Sequence, residues 1–591
     1  MGSDAELERF RELKLLLPEI SRAYRQREAV HTSVVIPSIS VDQGELAKIE
    51  GSAFYEERLL FTLIRLTNPL SRLIYVTSQP VHREILEYYL QHLPGIPLSR
   101  ARERVQVVCL YDASPKPLTQ KILERPRVIE RMRRWIGDPG RAYLTCYNST
   151  TLERRLAVEL GIPLNALDPD LLWMGTKSGS RKVFEEAGVA FPGGTNDVHT
   201  RRDVVIALER LARDRPDIRR AVVKLNESFA GEGNGVYVFP DAIPESGPER
   251  LEALSLAMED MRWPGGRETL PGFLRKLEEM GGIVEEWVEA DEVESPSVQL
   301  RIHPDGQLEV VSTHDQVLGG STGQVYLGCR FPAEESYRSE ILDAGIRVGH
   351  VLAKRGALGR FGVDFVVTRS GGGPWKTHAI EINLRMGGTT PPFMALEFLG
   401  GGHLDPESGL YVAADGRPKY YYATDNLKSP DYRGLLPEDL LDLMVEYGIH
   451  FKHLSLTGIL FFMIGALSQY GKLGVTAIGN SQDEARSLYD RTVAILDRAT
   501  GATPETQGVP HSLFEPDAPR WCSGPRPMPR VFYRSEGKSS PTYWWSMFRQ
   551  VGQSWSHSAP HELSLIHISE PTRPMKESRI PSYGVKKGGG G

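Results

Sequence analysis

Short apolar strands alternate with helices through the first quarter of the chain. SVVIPSIS, SRLIYVTSQP, VQVVCLYD and RAYLTCYNST each end in turn residues, and helical segments such as VHREILEYYLQHL separate them. This alternation favours a parallel sheet, because each crossover helix returns the chain to the same end of the sheet. The sequence therefore predicts a parallel α/β domain over residues 1–168.

The pattern of predicted helices, strands and loops changes twice after this domain. Residues 169–400 combine a basic helix, a glycine-rich loop and several strands with glycine turns, which indicates antiparallel sheets. Residues 401–514 predict a small C-terminal α/β domain. The predicted fold class is therefore α/β, with α+β character in the central part.

The last segment, residues 515–591, has no sustained hydrophobic period and is rich in Pro, Arg, Ser and Trp. This composition predicts a disordered tail. Within it the string LSLIHISEPTR looks like translated adapter DNA, so we interpret part of the tail as a read-through artefact. A natural variable tail is the alternative.

The overall composition excludes several classes of protein. The 591 residues carry 70 Lys plus Arg against 76 Asp plus Glu, and this net charge of -6 argues against a general nucleic-acid-binding surface. The longest apolar run, residues 454–467, is shorter than the ~20 residues that cross a bilayer. The 4 cysteines show neither zinc-site nor disulfide spacing. We expect a cytoplasmic protein that binds neither nucleic acid nor membrane, with its oligomeric state open.

One lysine interrupts an apolar strand in AVVKLNESFAGEGNGVYVF. Lys224 precedes a loop from Ser228 to Gly235, whose glycines let backbone N–H groups approach phosphate oxygens. The loop joins two strands and follows the lysine, an order that excludes both the P-loop and the dinucleotide-binding motif. Two structural alternatives stay open: a lysine that extends from a strand edge into solvent, and a mobile hairpin.

A second motif lies on the predicted hairpin of FGVDFVV and HAIEINLRMGG. Glu381 and Asn383 are two positions apart and share one face of their strand, which Asp364 on the partner strand can reach. Three such oxygen ligands suit Mg²⁺. Arg385 continues the alternation and can meet an anionic intermediate. The alternative is a sheet with a solvated acidic face.

Two weaker signals accompany these motifs. The strand IVEEWVEADEVES ends in acidic residues, so exposed backbone groups at its end can bind adenine and a following carboxylate can accept ribose hydroxyls. Upstream, Lys177 and Lys182 lead into a basic helix. The alternatives are a solvated strand and an ordinary charged helix face.

The order of these features resembles the ATP-grasp superfamily, and most closely its carboxylate–amine ligases related to pheganomycin-type peptide ligase. The resemblance spans roughly residues 34–500, and EINLRMGGT is its most specific string. It implies a pre-ATP-grasp N-terminal domain, a two-lobed ATP-grasp module and a C-terminal ligase-associated domain. It also implies ATP and Mg²⁺ as cofactors.

The resemblance assigns a role to each candidate residue. Phosphate binding falls to Lys177 and Lys224, with Lys182 in reserve because the chain has Gly175 and Thr176 where related ligases often have an Asp before the lysine. The lid comprises Ser228, Gly231, Gly233 and Gly235, and adenine would meet Glu286, Trp287 and Val288. Glu292 is the expected ribose partner, with Glu289 and Glu294 as competitors. Metal binding falls to Asp364, Glu381 and Asn383, and catalysis to Arg385 with Lys224.

The implied reaction is ATP-dependent ligation of a carboxylate to an amine through an acyl phosphate, with release of ADP and phosphate. The implied substrates are small molecules, namely amino acids or peptides. Two alternatives remain: a ligase with another acceptor class, thioester-forming or carboxylating, and a nucleotide-binding regulatory protein without turnover.

The segment STHDQVLGGSTGQVYLGCRFP lies between the adenine and metal strands. Its polar residues are candidates to orient the carboxylate and the amine: His314, Asp315, Gln316, Gln324 and Tyr326. The alternative is a polar loop whose side chains bond to their own backbone.

Deletion of everything after Gly524 should leave ATP turnover and the melting temperature nearly unchanged. The tail has no periodic apolar face able to offset the entropy of its own ordering. Turnover assays and thermal melts of the two lengths check this. A truncated protein that precipitates or melts several degrees lower would mean that Trp544, Trp545 and Phe548 pack on the core.

Overall fold

The computed structural model describes residues 2–25, 29–41, 43–227, 233–264, 268–319 and 325–501. The predicted tail over residues 515–591, with its suspected read-through segment, lies outside the described residues.

The N-terminal part contains a four-stranded parallel sheet in the order β3-β2-β1-β4. Its elements are α1 (Asp4–Lys14), α2 (Leu17–Arg25), β1 (His31–Ile36), α3 (Gln43–Lys48), a 3-10 helix (Ser52–Thr67), β2 (Ser71–Thr77), α4 (Arg83–Leu90), α5 (Leu98–Arg102), β3 (Val105–Cys109), α6 (Leu118–Leu123), α7 (Pro126–Ile136), a short 3-10 helix (Pro139–Arg141), β4 (Ala142–Cys146) and α8 (Thr151–Leu160). The central strand β1 is buried along its whole length, as expected of a strand covered on both faces. The predicted parallel α/β architecture is confirmed here.

A small antiparallel sheet follows, with strand order β5-β8-β6-β7. Its elements are a 3-10 helix (Pro169–Gly175), α9 (Lys177–Ala187), β5 (Gly194–Val198), α10 (Arg201–Asp214), β6 (Arg220–Leu225), β7 (Asn234–Val238), α11 (Pro248–Leu256), a 3-10 turn (Ala257–Asp260), α12 (Leu270–Met280) and β8 (Gly282–Glu286). The apolar faces of α10 and α12 cover one side of this sheet through residues such as Leu208, Leu211, Phe273 and Leu277. The other side carries Lys224.

A large, predominantly antiparallel sheet occupies the rest of the described chain. Its elements are β9 (Glu292–Glu294), β10 (Pro296–Ile302), β11 (Leu308–Gly319), β12 (Val325–Phe331), α13 (Glu335–Lys354), β13 (Gly359–Arg369), β14 (Lys376–Asn383), α14 (Thr390–Gly400), β15 (His403–Leu404), β16 (Tyr411–Val412), β17 (Pro418–Lys428), a 3-10 helix (Pro430–Gly434), α15 (Pro437–Glu446), β18 (Gly458–Phe462), a 3-10 turn (Ile464–Ala466), α16 (Leu467–Tyr470), β19 (Lys472–Gly479) and α17 (Gln482–Thr500). The combination of one parallel sheet with antiparallel sheets confirms the predicted α/β class.

The large sheet does not end where the sequence predicts a domain boundary. Its eleven strands within the described residues follow the order β14-β13-β10-β11-β12-β17-β16-β15, with β9, β18 and β19 attached. Strand β17 pairs with β12 on one side and with β19 on the other. The division of the chain at residues 168, 400 and 514 therefore stays a prediction, and a continuous sheet crosses its middle boundary.

Helix α9 begins at the junction of the two sheets and is fixed there by backbone-directed bonds. The Asn226 side-chain oxygen accepts the Ser178 N–H at 2.9 Å. The backbone carbonyl of Asn226 accepts the Lys177 N–H at 3.2 Å. On the other side, the Ser180 hydroxyl accepts the Ile382 N–H of β14 at 3.0 Å. The start of α9 is thus tied both to the end of β6 and to the end of β14.

His314 on β11 is a core residue and does not face a substrate site. Its side chain is fully buried, and its Nε2 lies 2.5 Å from the Tyr421 hydroxyl of β17. Burial lowers the pKa of His314 to about 3, because the imidazolium form would lose its hydration. The predicted substrate role of His314 is therefore wrong.

Acid should destabilise the protein through His314. The folded pKa of about 3 lies below the unfolded value near 6.5, so the unfolded chain binds the extra proton as the pH falls through this window. The free energy of unfolding should therefore fall by up to about 1.4 kcal/mol per pH unit from this group alone. Denaturant titrations of the wild type and His314→Gln from pH 7 to 4.5 measure the effect. Parallel pH profiles for the two proteins would contradict it.

Candidate active site

The predicted phosphate and metal residues meet between the small and the large sheet. The buried Lys177 ammonium at the start of α9 forms an ion pair with Glu381 of β14. It also lies within electrostatic reach of Lys224, Asp364 and Arg385. Residues spread over more than 200 positions of sequence, as between Lys177 and Glu381, therefore form one charged cluster.

Asp364, Glu381 and Asn383 lie together on one hairpin. Asp364 of β13 stands directly opposite Glu381 of β14 in the register, and Gly362 stands opposite Asn383. The Asn383 amide donates to Asp364 Oδ2 and to Glu381 Oε1, each at 3.0 Å. Burial raises the pKa of Asp364, while the Arg385 and Lys177 cations oppose that shift. Three oxygen-bearing side chains therefore converge on one face.

This donor set fits a hard divalent cation. No cluster of three or more His, Cys, Asp and Glu side chains suited to a metal occurs among the described residues. The set here consists of two carboxylates and one amide, and oxygen donors of this kind are those that Mg²⁺ prefers. The remaining positions around such an ion are usually filled by water and substrate phosphates.

The Lys177 ammonium is held in an unfavourable position for a cation. Burial is the main cause that lowers its pKa to about 7, and the neighbouring Lys224 and Arg385 cations lower it further. Asp364 and Glu285 act in the opposite direction. A polyanion bound beside these cations would relieve their mutual repulsion.

Lys224 projects from β6 toward the same region and pairs with Glu285 of β8. Glu285 is 3% exposed, and its second oxygen lies 3.3 Å from Arg181 Nη1 on α9. The two cations share one buried carboxylate, so the position of Lys224 depends on Glu285 and Arg181. Sequence reasoning missed both residues, although strand alternation in IVEEW places Glu285 on one face and Glu286 on the other.

Lys182, the reserve phosphate candidate, is not part of the cluster. It lies further along α9, half-exposed, and pairs with Asp197 at 2.8 Å. Five positions along a helix rotate a side chain by more than one turn from the first, so Lys177 and Lys182 face different directions.

The predicted glycine lid is only partly described. Ser228 and Gly231 lie outside the described residues. Gly233 has a φ of 87° and its carbonyl accepts the Leu225 N–H at 3.0 Å, which closes the turn between β6 and β7. Gly235 lies within β7, where a Cβ atom would approach Met261 Cε to 2.3 Å. These neighbours leave little room for a side chain here, and the assignment of Gly235 to the lid stays a prediction.

The predicted adenine strand leaves the small sheet at Glu286. The Glu286 carboxylate accepts the Gly193 N–H at 2.8 Å and pairs with Arg215 at 2.5 Å. The Trp287 ring lies 4.7 Å from the Arg220 guanidinium, and the backbone N–H of Trp287 donates to the Arg220 carbonyl at 3.2 Å. Trp287 and Val288 line a polar groove together with His378 of β14. The three residues thus lie where the chain passes from one sheet to the other.

The choice among the ribose candidates stays open. Glu289 pairs with Arg220 at 2.7 Å. Glu292 stands opposite Arg369 in the register between β9 and β13 and pairs with it, which lowers the pKa of Glu292. Glu294 lies two residues further along the same strand. All three are exposed or partly exposed at the same edge.

Arg385 lies just beyond β14 and turns toward the cluster. Its N–H donates to the Asn383 carbonyl at 2.8 Å, and its Nη1 donates to the Met386 carbonyl at 3.1 Å. Its charge affects the pKa of both Asp364 and Lys177. The guanidinium is therefore close to the predicted metal and phosphate residues.

The other substrate candidates have different environments. Asp315 is buried, accepts the Tyr337 hydroxyl at 2.8 Å and the Glu334 N–H at 3.0 Å, and thereby fixes the start of α13. Gln316 hydrogen-bonds Asp364. Tyr326 lies against Gly388, where a Cβ atom would approach its ring to 3.1 Å. Gln324 lies outside the described residues.

The amino-acid sequence is similar to those of known proteins. The sequence matches the family described as "IQCH-like, ATP-grasp" over residues 171–238 and 260–407, and the "PGM1 C-terminal domain" over residues 439–492. It is 33% identical over 475 residues to L-propargylglycine–L-glutamate ligase of Streptantibioticus cattleyicolor, covering 79% of this chain and 94% of that protein. It is 23% identical to IQ motif-containing protein H of Danio rerio, over 57% of this chain and 36% of that protein.

Solved structures with a similar course of the chain are more distant. Biotin carboxylase of Campylobacter jejuni has a TM-score of 0.48 at 11% identity, covering 80% of this chain and 92% of that chain. N5-carboxyaminoimidazole ribonucleotide synthetase of Thermus thermophilus has a TM-score of 0.42 at 14% identity, covering 80% and 99%. No helix within the described ranges is both long and apolar enough to span a membrane.

The relative from S. cattleyicolor is matched along nearly its whole length, and the ATP-grasp family match covers the strands that carry Lys224, Asp364 and Glu381. The chain belongs to the ATP-grasp carboxylate–amine ligases and is an ATP-dependent ligase.

Proposed function

We propose that this ligase activates a carboxylate with the γ-phosphoryl group of ATP and passes the acyl group to an amine. A carboxylate oxygen of the acid attacks the γ-phosphorus and ADP leaves. The amine nitrogen then attacks the acyl carbon, phosphate leaves, and the amine loses a proton. The observation that carries the proposal is the single charged cluster of Lys177, Lys224, Glu381 and Asp364 between two sheets.

Lys177 and Lys224 are proposed to hold the nucleotide phosphates. Both ammonium groups are buried, and this burial, together with the nearby Lys224 cation, lowers the pKa of Lys177 to about 7. A triphosphate would neutralise this repulsion and replace Glu381 as the partner of Lys177. Glu285 and Arg181 would keep Lys224 in position during that exchange.

Asp364, Glu381 and Asn383 are proposed to hold Mg²⁺. Such an ion would neutralise the charge that develops on the transferred phosphoryl group. The Asn383 amide, 3.0 Å from both carboxylates, spaces them on one face. Arg385 is proposed to contact the acyl phosphate and the tetrahedral oxyanion, because its positive charge acts on Asp364 of the proposed metal set.

Glu286, Trp287 and Val288 are proposed to contact adenine, with Glu292, Glu289 or Glu294 at the ribose. The segment from Ser228 to Gly235 is proposed to cover the phosphates, since it follows Lys224 of β6 and leads into β7. A closed lid matters because water would otherwise hydrolyse the acyl phosphate.

The substrates are proposed to be two amino acids, or an amino acid and a peptide. The support is the name of the S. cattleyicolor relative, which specifies L-propargylglycine and L-glutamate. No observation favours a thioester-forming or carboxylating enzyme. A cytoplasmic location is also a proposal, supported by the free thiols of Cys109, Cys146 and Cys329 in the described chain.

Lys224→Ala should abolish ATP turnover while leaving the fold intact. The substitution removes a charge aimed at the phosphates, and Glu285 keeps Arg181 as a partner. Turnover should fall by at least about 100-fold, the typical effect of one preorganised charge on a developing anion. Lys182→Ala is the matched control, because its partner Asp197 lies outside the cluster. Equal activities in the two variants, with unchanged circular dichroism, would refute the assignment.

The double substitution Glu381→Gln, Asn383→Ala should separate nucleotide binding from chemistry. It removes two proposed metal ligands and leaves the adenine strand intact, so ADP should still bind while phosphoryl transfer is lost. Calorimetric titration with ADP and a phosphate-release assay check the two effects. Glu340→Gln is the control, since Glu340 contacts β14 at Thr377, away from the metal face. Turnover within a few-fold of wild type would make the motif structural.

A further inference from the structure

A buried ion pair joins the N-terminal part to the C-terminal strands outside the nucleotide cluster. Arg58 Nη1 lies 3.5 Å from Asp425 Oδ2, and the two side chains are 6% and 13% exposed. Charge-assisted hydrogen bonds of this type are normally about 2.7–2.9 Å long. The contact is thus loose for a pair that has lost most of its hydration, and loosely paired buried charges are costly.

The side chains of Arg58 and Asp425 are each oriented by their local surroundings. The Arg58 guanidinium lies between two aromatic rings, 4.4 Å from the Tyr55 centroid and 4.2 Å from that of Tyr147. Asp425 lies at an irregularity in the β17–β19 register, between Thr424 and Leu427. Irregularities of this kind re-aim side chains and are common beside functional sites.

An apolar cavity adjoins Arg58. Its free volume is about 50 Å³, which is well below that of a drug-sized site but suits a short apolar side chain. Its walls come from the Ser52–Thr67 helix, α4, α14 and β18, with lining residues that include Phe61, Tyr88, Ala395, Phe398 and Phe461. Arg58 contributes the cationic group to this lining.

The cavity and the ion pair are close to the proposed reaction centre. The Tyr147 ring stacks on Arg58, and the backbone carbonyl of Tyr147 accepts the Met386 N–H at 3.1 Å. The Met386 carbonyl in turn accepts a hydrogen bond from Arg385 Nη1 at 3.1 Å. Burial is the main cause that raises the pKa of Tyr326, and the negative charge of Asp425 helps to raise it. Tyr326 packs on Gly388, two residues after Met386. Arg58 is therefore linked to Arg385 through Tyr147 and Met386.

We propose that Arg58, Asp425 and the adjoining cavity form the binding site of the amine substrate, an α-amino acid with an apolar side chain. The α-carboxylate pairs with Arg58, the ammonium pairs with Asp425, and the side chain enters the cavity. The inference rests on the proposed ligase function. An amine substrate of this class keeps its carboxylate throughout the reaction, and Arg58 is a nearby cation that the phosphates and the acyl phosphate do not use.

Lys472 and Tyr55 stiffen the site. The Lys472 ammonium donates to the Tyr55 hydroxyl at 2.5 Å and lies 4.8 Å from the centre of the Tyr55 ring. Burial lowers the pKa of Lys472, and the Asp425 carboxylate opposes this shift. Arg58 therefore stacks on a ring that is itself held in place.

The test compares two nucleophiles in one protein. MgATP and a panel of L-amino-acid carboxylate donors that includes L-glutamate are supplied with either hydroxylamine or L-norvaline, and ADP release and product mass are measured. Arg58→Gln should raise the KM for L-norvaline by about 10- to 100-fold, the range for losing a hydrogen bond to a charged group. The rate with hydroxylamine and the ATP Kd should stay within about twofold, since hydroxylamine needs no carboxylate partner.

Further variants distinguish recognition from folding. Asp425→Asn should raise the KM in the same way, Arg58→Lys should restore part of the loss, and Arg58→Gln should not change the KM for L-norvalinamide, which lacks the carboxylate. Arg250→Gln is the matched control, because Arg250 pairs with Glu209 at the same 3.5 Å in a remote part of the small-sheet lobe. If both Arg58 variants unfold, Ala395→Leu decides, since filling the cavity should shift the preferred amine from L-norvaline to glycine.

Three results would overturn the proposal. The first is an equal loss with hydroxylamine and with L-norvaline in Arg58→Gln. The second is an unchanged KM for L-norvaline in Arg58→Gln, or an unchanged amine preference in Ala395→Leu. The third is a wild-type enzyme that turns over with hydroxylamine but prefers amines with charged side chains. A wild-type enzyme that releases no ADP with any donor and hydroxylamine would instead refute the ligase chemistry itself, and this assignment with it.

Discussion

The contact between Lys177 and Glu381 determines how the rest of the site is arranged. It brings the first residue of α9 against β14, and so places the cations of the small sheet beside the carboxylates of the large one. Opposite charges attract strongly where water is excluded, but each charge also loses hydration. The lowered pKa of Lys177 reflects this cost. Ligands can replace both partners of such a pair, because phosphates can take the place of Glu381 at Lys177 and a divalent cation can take the place of Lys177 at Glu381.

Short local bonds make this contact possible. Asn226 and Ser180 fix the start of α9 against both sheets, and Gly179 is required there because a Cβ atom would lie 1.8 Å from the Trp173 carbonyl oxygen. Glu285 plays the same part for Lys224 by sharing its carboxylate with Arg181. The charged groups that act on substrates are thus held by residues that need not touch substrates at all.

The sequence predicts those features that depend on local pattern. Strand–helix alternation is enough for the parallel sheet, and the two-residue spacing of Glu381 and Asn383 is enough to place them on one face. Pairings across long sequence separations could not be predicted in this way. Glu285 requires knowledge that β8 lies beside β6, and Arg58 and Asp425 are 367 positions apart. The contact of Gly235 with Met261 is a further example, because Met261 lies outside the glycine loop.

The most direct test of this account is a crystal structure of the protein with ADP and Mg²⁺. The account predicts that Lys177 Nζ leaves Glu381 and contacts a nucleotide phosphate, while Glu381, Asp364 and Asn383 turn toward the metal. Lys224 should contact a phosphate while Arg181 keeps its bond to Glu285. A nucleotide bound with the Lys177–Glu381 pair intact, or with its phosphates away from both lysines, would contradict the account.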